Sequence, residues 1–177
     1  MHYHRGVKTT LLLRHAKSNW DDPTLDDHSR PLAARGVRAA DRMGRYLAEL
    51  DLRPDLVLCS SARRALETLE GLRPHLEAEL RVDREPRIYG ALAAELFELL
   101  RALDDADRGV LLIGHDPSIS QLACGLTRPD GSAARQKMER KFPTAALAEV
   151  HFDAERWRDI EPESGILRRF VRPRDLD

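Results

Sequence analysis

The fold is indicated by one stretch of the sequence, Leu11-Leu12-Leu13-Arg14-His15-Ala16-Lys17. Three consecutive leucines predict a central strand, about residues 8–14, that is buried on both faces of a parallel sheet. The strand ends on an arginine and a histidine, which are costly to bury without partners. Because ligands bind at the carboxyl ends of strands in open α/β sheets, we expect Arg14 and His15 to face a crevice. The competing interpretation is a lone histidine whose hydrogen bonds are satisfied within the fold.

Length and composition indicate an ordinary globular protein. The 177 residues predict one domain, 1–177, in which residues 1–7 form a flexible tail. Hydrophobic residues make up 42%, charged residues 33%, and the net charge is −1, so neither nucleic acid nor a membrane surface is expected as partner. Without a signal-peptide pattern or a membrane-length apolar run, a cytoplasmic location is expected. Cys59 and Cys124 are expected to be buried free thiols.

Apolar runs alternate with apolar residues at helical spacing along the chain. Strands are predicted at about 8–14, 56–59, around 82, 110–113 and 145–152. Residues 166–171 are expected to form either a further strand or a terminal extension. A first helix is predicted from Pro31 to Leu50, with Val37 in its buried face. A second helix follows the N-cap candidates Ser60 and Ser61 and extends to Leu76. Further helices are predicted at 93–104 and directly after Pro117. The polar stretch 127–143 is expected to be irregular. This alternation predicts a three-layer, doubly wound α/β fold, with a mostly parallel sheet and helices on both faces.

Basic side chains follow three of the predicted strands. Arg14 and His15 end the first, Arg64 lies in the helical turn after the second, and His115 ends the strand at 110–113. Arginine matches phosphate oxygens in geometry and keeps its charge, and a helix start adds N–H donors. The sequence places no acid in this cluster, so an anionic ligand is expected to balance it. Solvated arginines and two core histidines are the alternative.

The segment from Ser18 to Arg30 is acidic and is bounded by proline at its end. It predicts a loop over the mouth of the crevice. The loop contains four aspartates, Asp21, Asp22, Asp26 and Asp27. Because they do not have the spacing of a calcium-binding loop, we expect a solvated loop without a metal ion. Asp27 is also spaced to pair with Arg30.

Three motifs, in this order, resemble those of the histidine phosphatase superfamily, which has the phosphoglycerate-mutase-like fold. Leu13-Arg14-His15-Ala16 resembles its R-H-G signature, and Ser60 to Thr68 resembles its S-P-x-x-R-A-x-Q-T segment. Gly114-His115-Asp116-Pro117 resembles its G-H-N-P turn. Together with Ser29-Arg30-Pro31-Leu32, the pattern is most similar to the SixA-like phosphohistidine phosphatases. The resemblance extends over nearly the whole chain.

This resemblance implies a two-step phosphoryl transfer that needs no metal ion or organic cofactor. His15 would be the nucleophile and form a phosphohistidine that water then hydrolyses. Arg14, Arg64 and His115 would bind the equatorial oxygens of the phosphoryl group. The two arginines would lower the pKa of His15, and a backbone carbonyl on its other ring nitrogen would fix the tautomer.

Further contacts with the substrate phosphate are implied at the rim of the site. Lys17 and Ser18 could add donors there, although a solvated Lys17 is an equal alternative. Arg30 either contacts phosphate or forms a structural pair with Asp27.

The chain departs from the family pattern at three places. Ala16 replaces glycine, which requires that φ not be positive there. Asp116 replaces asparagine and is expected to point away from the pocket, where it orients His115 or caps the next helix. Larger members carry a glutamate general acid where this chain has Tyr89 and no carboxylate within residues 87–91. The nearby Glu85 and Glu95 have the pattern of surface positions.

These features together predict a cytoplasmic, metal-independent phosphatase that acts on phosphohistidine in proteins. Its partner would be a phosphorylated protein side chain or a small phosphorylated metabolite. One alternative is a broad phosphomonoesterase for small metabolites. A non-catalytic phosphate-binding module is another, although pure binding would not need His15. A mutase would require a lid that excludes water. No feature of the sequence fixes an oligomeric state.

Overall fold

The computed structural model describes residues 6–176. Within this range six strands form one sheet, and α-helices pack on both of its faces. The strands are β1 (Val7–Arg14), β2 (Leu56–Cys59), β3 (Arg81–Arg84), β4 (Gly109–Gly114), β5 (Leu147–Asp153) and β6 (Ile166–Val171). The helices are α1 (Ala34–Glu49), α2 (Arg63–Leu72), α3 (Ala93–Arg101), α4 (Ser118–Leu126) and α5 (Ala133–Arg140).

The sheet has the strand order β3-β2-β4-β1-β5-β6. The pairs β1 with β4, β4 with β2, and β2 with β3 are parallel, whereas β5 pairs antiparallel with both β1 and β6. The predicted, mostly parallel α/β sheet is therefore confirmed. Because β2, β4 and β1 are parallel neighbours, their carboxyl ends lie side by side at one edge of the sheet.

The three leucines of β1 explain why this strand is central. Leu11, Leu12 and Leu13 are each 0% exposed. Leu12 belongs to a core shared with α3, α4 and α5, while Leu11 and Leu13 belong to the core shared with α1 and α2. Successive side chains of a strand point to opposite faces. An uninterrupted apolar run is thus needed for a strand with a helical layer on each side.

The first predicted helix begins later than expected. Pro31 lies outside α1, because Leu32 forms an isolated β-bridge with Ser18 and the chain turns into the helix only at Ala34. Val37, expected in the buried face, is 52% exposed. The buried face of α1 instead begins at Gly36, where the helix lies directly against the segment after β1.

The stretch 127–143, expected to be irregular, contains α5. Its start is capped by Ser132, whose hydroxyl accepts a hydrogen bond from the Arg135 N–H at 3.1 Å. Met138 is the one buried hydrophobic residue of this helix, and Arg135 is buried beside it through bonds to Thr127. Apolar periodicity could not reveal a helix that buries so few apolar side chains.

Other differences concern the ends of elements. The second helix ends at Leu72 and is followed by a short 3₁₀ turn, so Leu76 lies beyond it, and α3 ends three residues before position 104. β1 begins at Val7, inside the tail expected at 1–7, and residues 1–5 lie outside the described residues. Both cysteines are free as expected, but Cys124 is only half-buried. No helix within residues 6–176 is long and apolar enough to cross a membrane.

Gly36 sets the distance between α1 and the segment after β1. A Cβ atom at Gly36 would lie 2.2 Å from the carbonyl oxygen of Lys17. That oxygen accepts a hydrogen bond from the Ala33 N–H at 2.8 Å, so it is held in place. Only glycine allows the two backbones to approach this closely.

Replacing Gly36 by alanine should lower the free energy of unfolding by about 1–3 kcal/mol, because the backbone of Lys17 or of α1 must move. Gly125→Ala in α4 is the matched control, since its Cβ would meet nothing within 4 Å. There alanine should stabilise the helix by about 0.5–1 kcal/mol. Urea denaturation of both variants measures the difference. Equal effects would contradict the close approach at Gly36.

Candidate active site

His15 lies at the end of β1 with only 7% of its surface exposed. Its Nδ1 is 2.7 Å from the carbonyl oxygen of Ala16. A carbonyl can only accept, so Nδ1 carries the proton and donates it, and Nε2 is left with a lone pair. Arg64 points its Nε–H at this Nε2 from 3.3 Å. The carbonyl expected to fix the tautomer is therefore that of Ala16.

The surroundings of His15 keep its ring neutral. Burial, together with the charges of Arg64, Arg14 and Arg30, lowers the pKa of His15 to about 4, against the hydrogen bond to Ala16, which raises it. Arg14 and Arg64 lower this pKa as expected, but burial has the larger effect because it removes the charged ring from water. At neutral pH the imidazole is uncharged and able to act as a nucleophile.

A short chain of hydrogen bonds fixes His15 relative to Arg64. The N–H of Ala16 donates to Thr68 Oγ1 at 2.9 Å, and the Thr68 hydroxyl donates to the carbonyl of Arg64 at 2.6 Å. Ala16 does not adopt a positive φ, so the expectation that alanine can replace glycine here is confirmed. The end of β1 and the first turn of α2 are thus tied together through one threonine.

His115, at the end of β4, lies beside His15 with ring centroids 5.0 Å apart. Its Nε2 is 2.7 Å from the hydroxyl of Ser60, which also accepts a 3.4 Å hydrogen bond from the Ala62 N–H. This favours a Ser60 hydroxyl that donates to Nε2, with the ring proton on Nδ1. Burial, followed by the charges of His15 and Arg64, lowers the pKa of His115 to about 3.

Ser60 therefore has a different position from the one expected. We expected Ser60 and Ser61 to cap α2, but the N-cap is Ala62, and no side chain within residues 6–176 caps this helix. Ser60 instead orients His115. The sequence indicated polar residues after β2, but it could not show that Ser60 bonds to His115, which lies 55 residues away.

Several buried nitrogen atoms in this cluster have no hydrogen-bond partner within residues 6–176. They are Nδ1 of His115, Nε of Arg14, and both Nε and Nη1 of Arg30. Buried polar groups are normally paired, and an arginine nitrogen can only donate. Such a set of donors around a neutral imidazole fits a ligand with several acceptor oxygens, as a phosphoryl group has.

The cluster contains acids, contrary to expectation. Asp27 accepts hydrogen bonds from Arg64 Nη2 and from the Tyr89 hydroxyl, both at 2.9 Å, and it pairs with Arg30. Partial burial raises its pKa, but the bonds from Tyr89 and Arg64 outweigh this and hold the pKa of Asp27 at about 2. The expected pair of Asp27 with Arg30 is confirmed, and Arg30 still has two unpartnered nitrogens among the described residues.

Asp116 is the second acid at the cluster. We expected it to orient His115 or to cap α4. In the described part of the chain no side chain caps α4, and Asp116 lies 3.7 Å from Nη1 of Arg14. The same Nη1 donates to the carbonyl of Phe142 at 2.7 Å. The nearby guanidinium attracts the carboxylate, which is why it does not point away from the pocket.

Among residues 6–176, two of the predicted site residues form no hydrogen bond or ion pair with His15. The side chain of Lys17 forms no hydrogen bond or ion pair with the described residues and lines a neighbouring groove. Ser18 is buried and forms its β-bridge with Leu32. Their contact with phosphate stays a prediction.

Candidate proton donors near the site are engaged elsewhere. Glu85 is bonded to the backbone N–H and the guanidinium of Arg87, and its side chain is only 16% exposed rather than a surface group. Glu95 accepts the Leu92 N–H at 2.7 Å at the start of α3. The Tyr89 hydroxyl donates to Asp27, and burial and that bond raise its pKa.

The acidic loop forms local hydrogen bonds. Asp22 accepts the N–H of Thr24, and Asp26 accepts that of Ser29, both at 2.9 Å. In the described part of the chain, no group of three or more His, Cys, Asp or Glu side chains is placed to hold a metal ion.

Comparison with known proteins identifies the family. The chain is 36% identical over 164 residues to an uncharacterised protein of Mycobacterium tuberculosis, an alignment that covers 92% of this chain and 100% of that protein. Residues 10–90 match the family model of the histidine phosphatase superfamily, branch 1. The chain belongs to this superfamily. It is a phosphatase, and the matched range contains Arg14, His15 and Arg64.

Solved structures place this phosphatase among SixA-like proteins. A Nakamurella multipartitia protein that carries the name phosphohistidine phosphatase SixA has a TM-score of 0.83 and 27% identity, and covers 95% of this chain and 97% of its own. The protein histidine phosphatase SixA, solved with tungstate, has a TM-score of 0.73 and 24% identity, with coverage of 96% and 99%. The second similarity concerns the fold alone.

The imidazole of His15 should titrate with a pKa near 4, well below the value of about 6.5 for an exposed histidine. The unfolded chain binds this proton more readily, so the contribution of His15 to stability is lost as pH falls from about 6.5 toward 4. Long-range ¹H–¹⁵N NMR spectra, with His15→Ala to assign the signals, should also show the proton on Nδ1. A midpoint near 6.5 would contradict a buried, neutral ring.

The two adjacent arginines of α2 should differ sharply in their effect on catalysis. Arg64 is 5% exposed and contacts His15, whereas the Arg63 side chain is 54% exposed and bonded to Glu67. Arg64→Ala should raise the transition-state free energy by about 3 kcal/mol or more, and Arg63→Ala should change it little. The measurement is kcat/KM for an aryl phosphate. Similar losses of kcat/KM in the two variants would show that Arg64 is not the phosphate-binding arginine of the motif.

Proposed function

We propose that this phosphatase hydrolyses phosphohistidine in proteins through a phosphohistidine intermediate on His15. The observation that carries the proposal is the neutral imidazole of His15, whose Nε2 lone pair lies among Arg14, Arg30, Arg64 and His115. The unpartnered donors of this cluster would bind the phosphoryl oxygens. The name of the Nakamurella structure supports the same substrate class.

In the first step, Nε2 of His15 attacks the phosphorus atom. A nitrogen–phosphorus bond forms while the bond to the leaving group breaks, and its electron pair goes to the leaving atom. The attack makes the His15 ring positive, and the Ala16 carbonyl stabilises that charge because it accepts the Nδ1–H. Arg14, Arg64 and the Nδ1–H of His115 stabilise the charge on the equatorial oxygens.

In the second step, a water molecule attacks the phosphorus of phosphorylated His15. An oxygen–phosphorus bond forms, the nitrogen–phosphorus bond breaks, and its electron pair returns to Nε2. The proton of the water passes to bulk solvent. The bond from Nδ1 to Ala16 keeps the ring in the same tautomer, so the free enzyme is restored without a further rearrangement.

The state of the carboxylates favours phosphohistidine as the substrate. Asp27 is ionised, Asp116 lies against Arg14, and Glu85 and Glu95 are bonded elsewhere. An alkoxide leaving group would need a proton donor, which is worth about 10²–10⁴-fold in rate. An imidazole whose far nitrogen carries a proton can leave neutral without a donor. The site thus fits a phosphoramidate better than a serine phosphate.

The proposal is tested by kcat/KM for a phosphohistidine peptide, an aryl phosphate and a phosphoserine peptide at one pH. Without a general acid, the first two should exceed phosphoserine by about a hundredfold or more. Comparable values for all three would show that a carboxylate of the site donates a proton, and would contradict the substrate assignment.

His15→Ala is the control for the mechanism. It should retain the circular dichroism spectrum of the parent and lose turnover of every substrate. An alkaline quench during turnover, followed by mass spectrometry, should show one added phosphoryl group on the peptide that contains His15. Retention of more than a few per cent of activity in the variant would mean that another group is the nucleophile.

A further inference from the structure

A basic groove lies beside the active site. It encloses about 530 Å³ and is open to solvent. Cationic side chains of its walls come from the segment after β1, from α1 and from the loop before β5: Lys17, Arg35, Arg38, Arg42 and Lys141. Arg172 and Arg174 of the segment after β6 form its other side. We call this feature the α1 groove.

The charge of the α1 groove is unlike that of the chain as a whole. The chain has a net charge of −1, yet the eleven residues that line the groove include seven cations and no acid. Asp175 pairs with Arg172 but does not line the groove. Positive charge is therefore concentrated here and compensated elsewhere on the protein.

Most cations of the α1 groove are not neutralised by the fold. In the range 6–176, the side chains of Lys17, Arg35, Arg38, Lys141 and Arg174 form no hydrogen bond or ion pair. Exposed arginines outside the groove are of both kinds: Arg45, Arg53, Arg63 and Arg156 pair with acids, whereas Arg73, Arg84 and Arg168 form no ion pair with residues 6–176. What distinguishes the groove is that five unpaired cations line one surface, which suits an anionic partner better than internal ion pairs.

The α1 groove leads away from the catalytic residues. Lys17 lies two residues after His15, and the loop that supplies Lys141 also supplies the Phe142 carbonyl that Arg14 contacts. From Arg35 the cations follow α1 for seven residues, about 10 Å along the helix. A polypeptide with its phosphorylated residue at His15 could therefore continue into the groove.

We propose that the α1 groove binds an acidic segment of the phosphoprotein substrate, with Asp or Glu side chains close in sequence to the phosphorylated residue. This inference rests on the proposed function. The cations come from separate elements and extend along a helix, which suits an extended chain with several carboxylates better than one compact anion. Complementary charge of this kind raises the association rate and the specificity.

The binding test needs no catalysis. Fluorescence anisotropy compares a labelled Glu-rich peptide with its Gln counterpart, both without phosphate. The protein should bind the Glu peptide more tightly, and added salt should weaken that binding. The double variant Arg35→Glu/Arg38→Glu should bind it about tenfold more weakly or worse. Arg168→Glu, an exposed arginine on β6 outside the groove, should bind as the parent does. Equal binding of the two peptides, or equal loss in both variants, would overturn the proposal.

Turnover separates this inference from the proposed function. The double variant should keep parental kcat/KM for a small aryl phosphate, because neither arginine contacts His15, and circular dichroism checks its fold. It should lose kcat/KM for a Glu-flanked phosphohistidine peptide and not for a Gln-flanked one. If the double variant turns over the Glu-flanked and the Gln-flanked peptide equally well, the groove does not bind the substrate. Phosphohistidine would then still be the substrate. If the protein binds the Glu peptide but does not hydrolyse phosphohistidine, the proposed substrate is wrong. The groove would then still bind acidic peptides.

Discussion

The hydrogen bond from His15 Nδ1 to the Ala16 carbonyl is the interaction on which the site depends. It decides which ring nitrogen has the lone pair, and it is effective because Ala16 is itself held by Thr68. Thr68 in turn contacts the carbonyl of Arg64. His15 and its nearest cation are thus positioned by two backbone carbonyls, which the hydroxyl of Thr68 links together. Parallel strands β1 and β4 then bring His115 to the same edge of the sheet.

The central strands could be predicted from sequence because their apolar runs are continuous. β1, β2 and β4 are found within a residue of the predicted bounds, since a strand covered by helices on both faces leaves no position for a polar side chain. The same reasoning fails for α5, which buries Arg135 as well as Met138. It also fails at the start of α1, where the β-bridge between Ser18 and Leu32 is a long-range contact that no local pattern records.

The sequence motifs identified the main catalytic candidates, and the structure shows that these residues lie close together. His15, Arg64 and His115 follow recognisable segments, and each ends or follows a strand that hydrophobicity identifies. The acids could not be found in this way. Asp27 contacts Arg64 across 37 positions, and nothing in the spacing of two distant residues indicates that a loop will fold back. Only the pair of Asp27 with Arg30 had a local signal, three residues apart.

The two acids have a consequence for product release. Arg14, Arg30 and Arg64 together with Asp27 and Asp116 leave the cluster close to one net positive charge, because both histidines are neutral. A pocket with three uncompensated arginines would hold inorganic phosphate tightly and make its departure slow, which is a common limit on turnover. Because Asp27 is bonded to Arg64 and Arg30, part of that attraction is already satisfied within the protein. If the cluster binds phosphate as proposed, the loop from Ser18 to Arg30 would lower the affinity for the product and ease its departure.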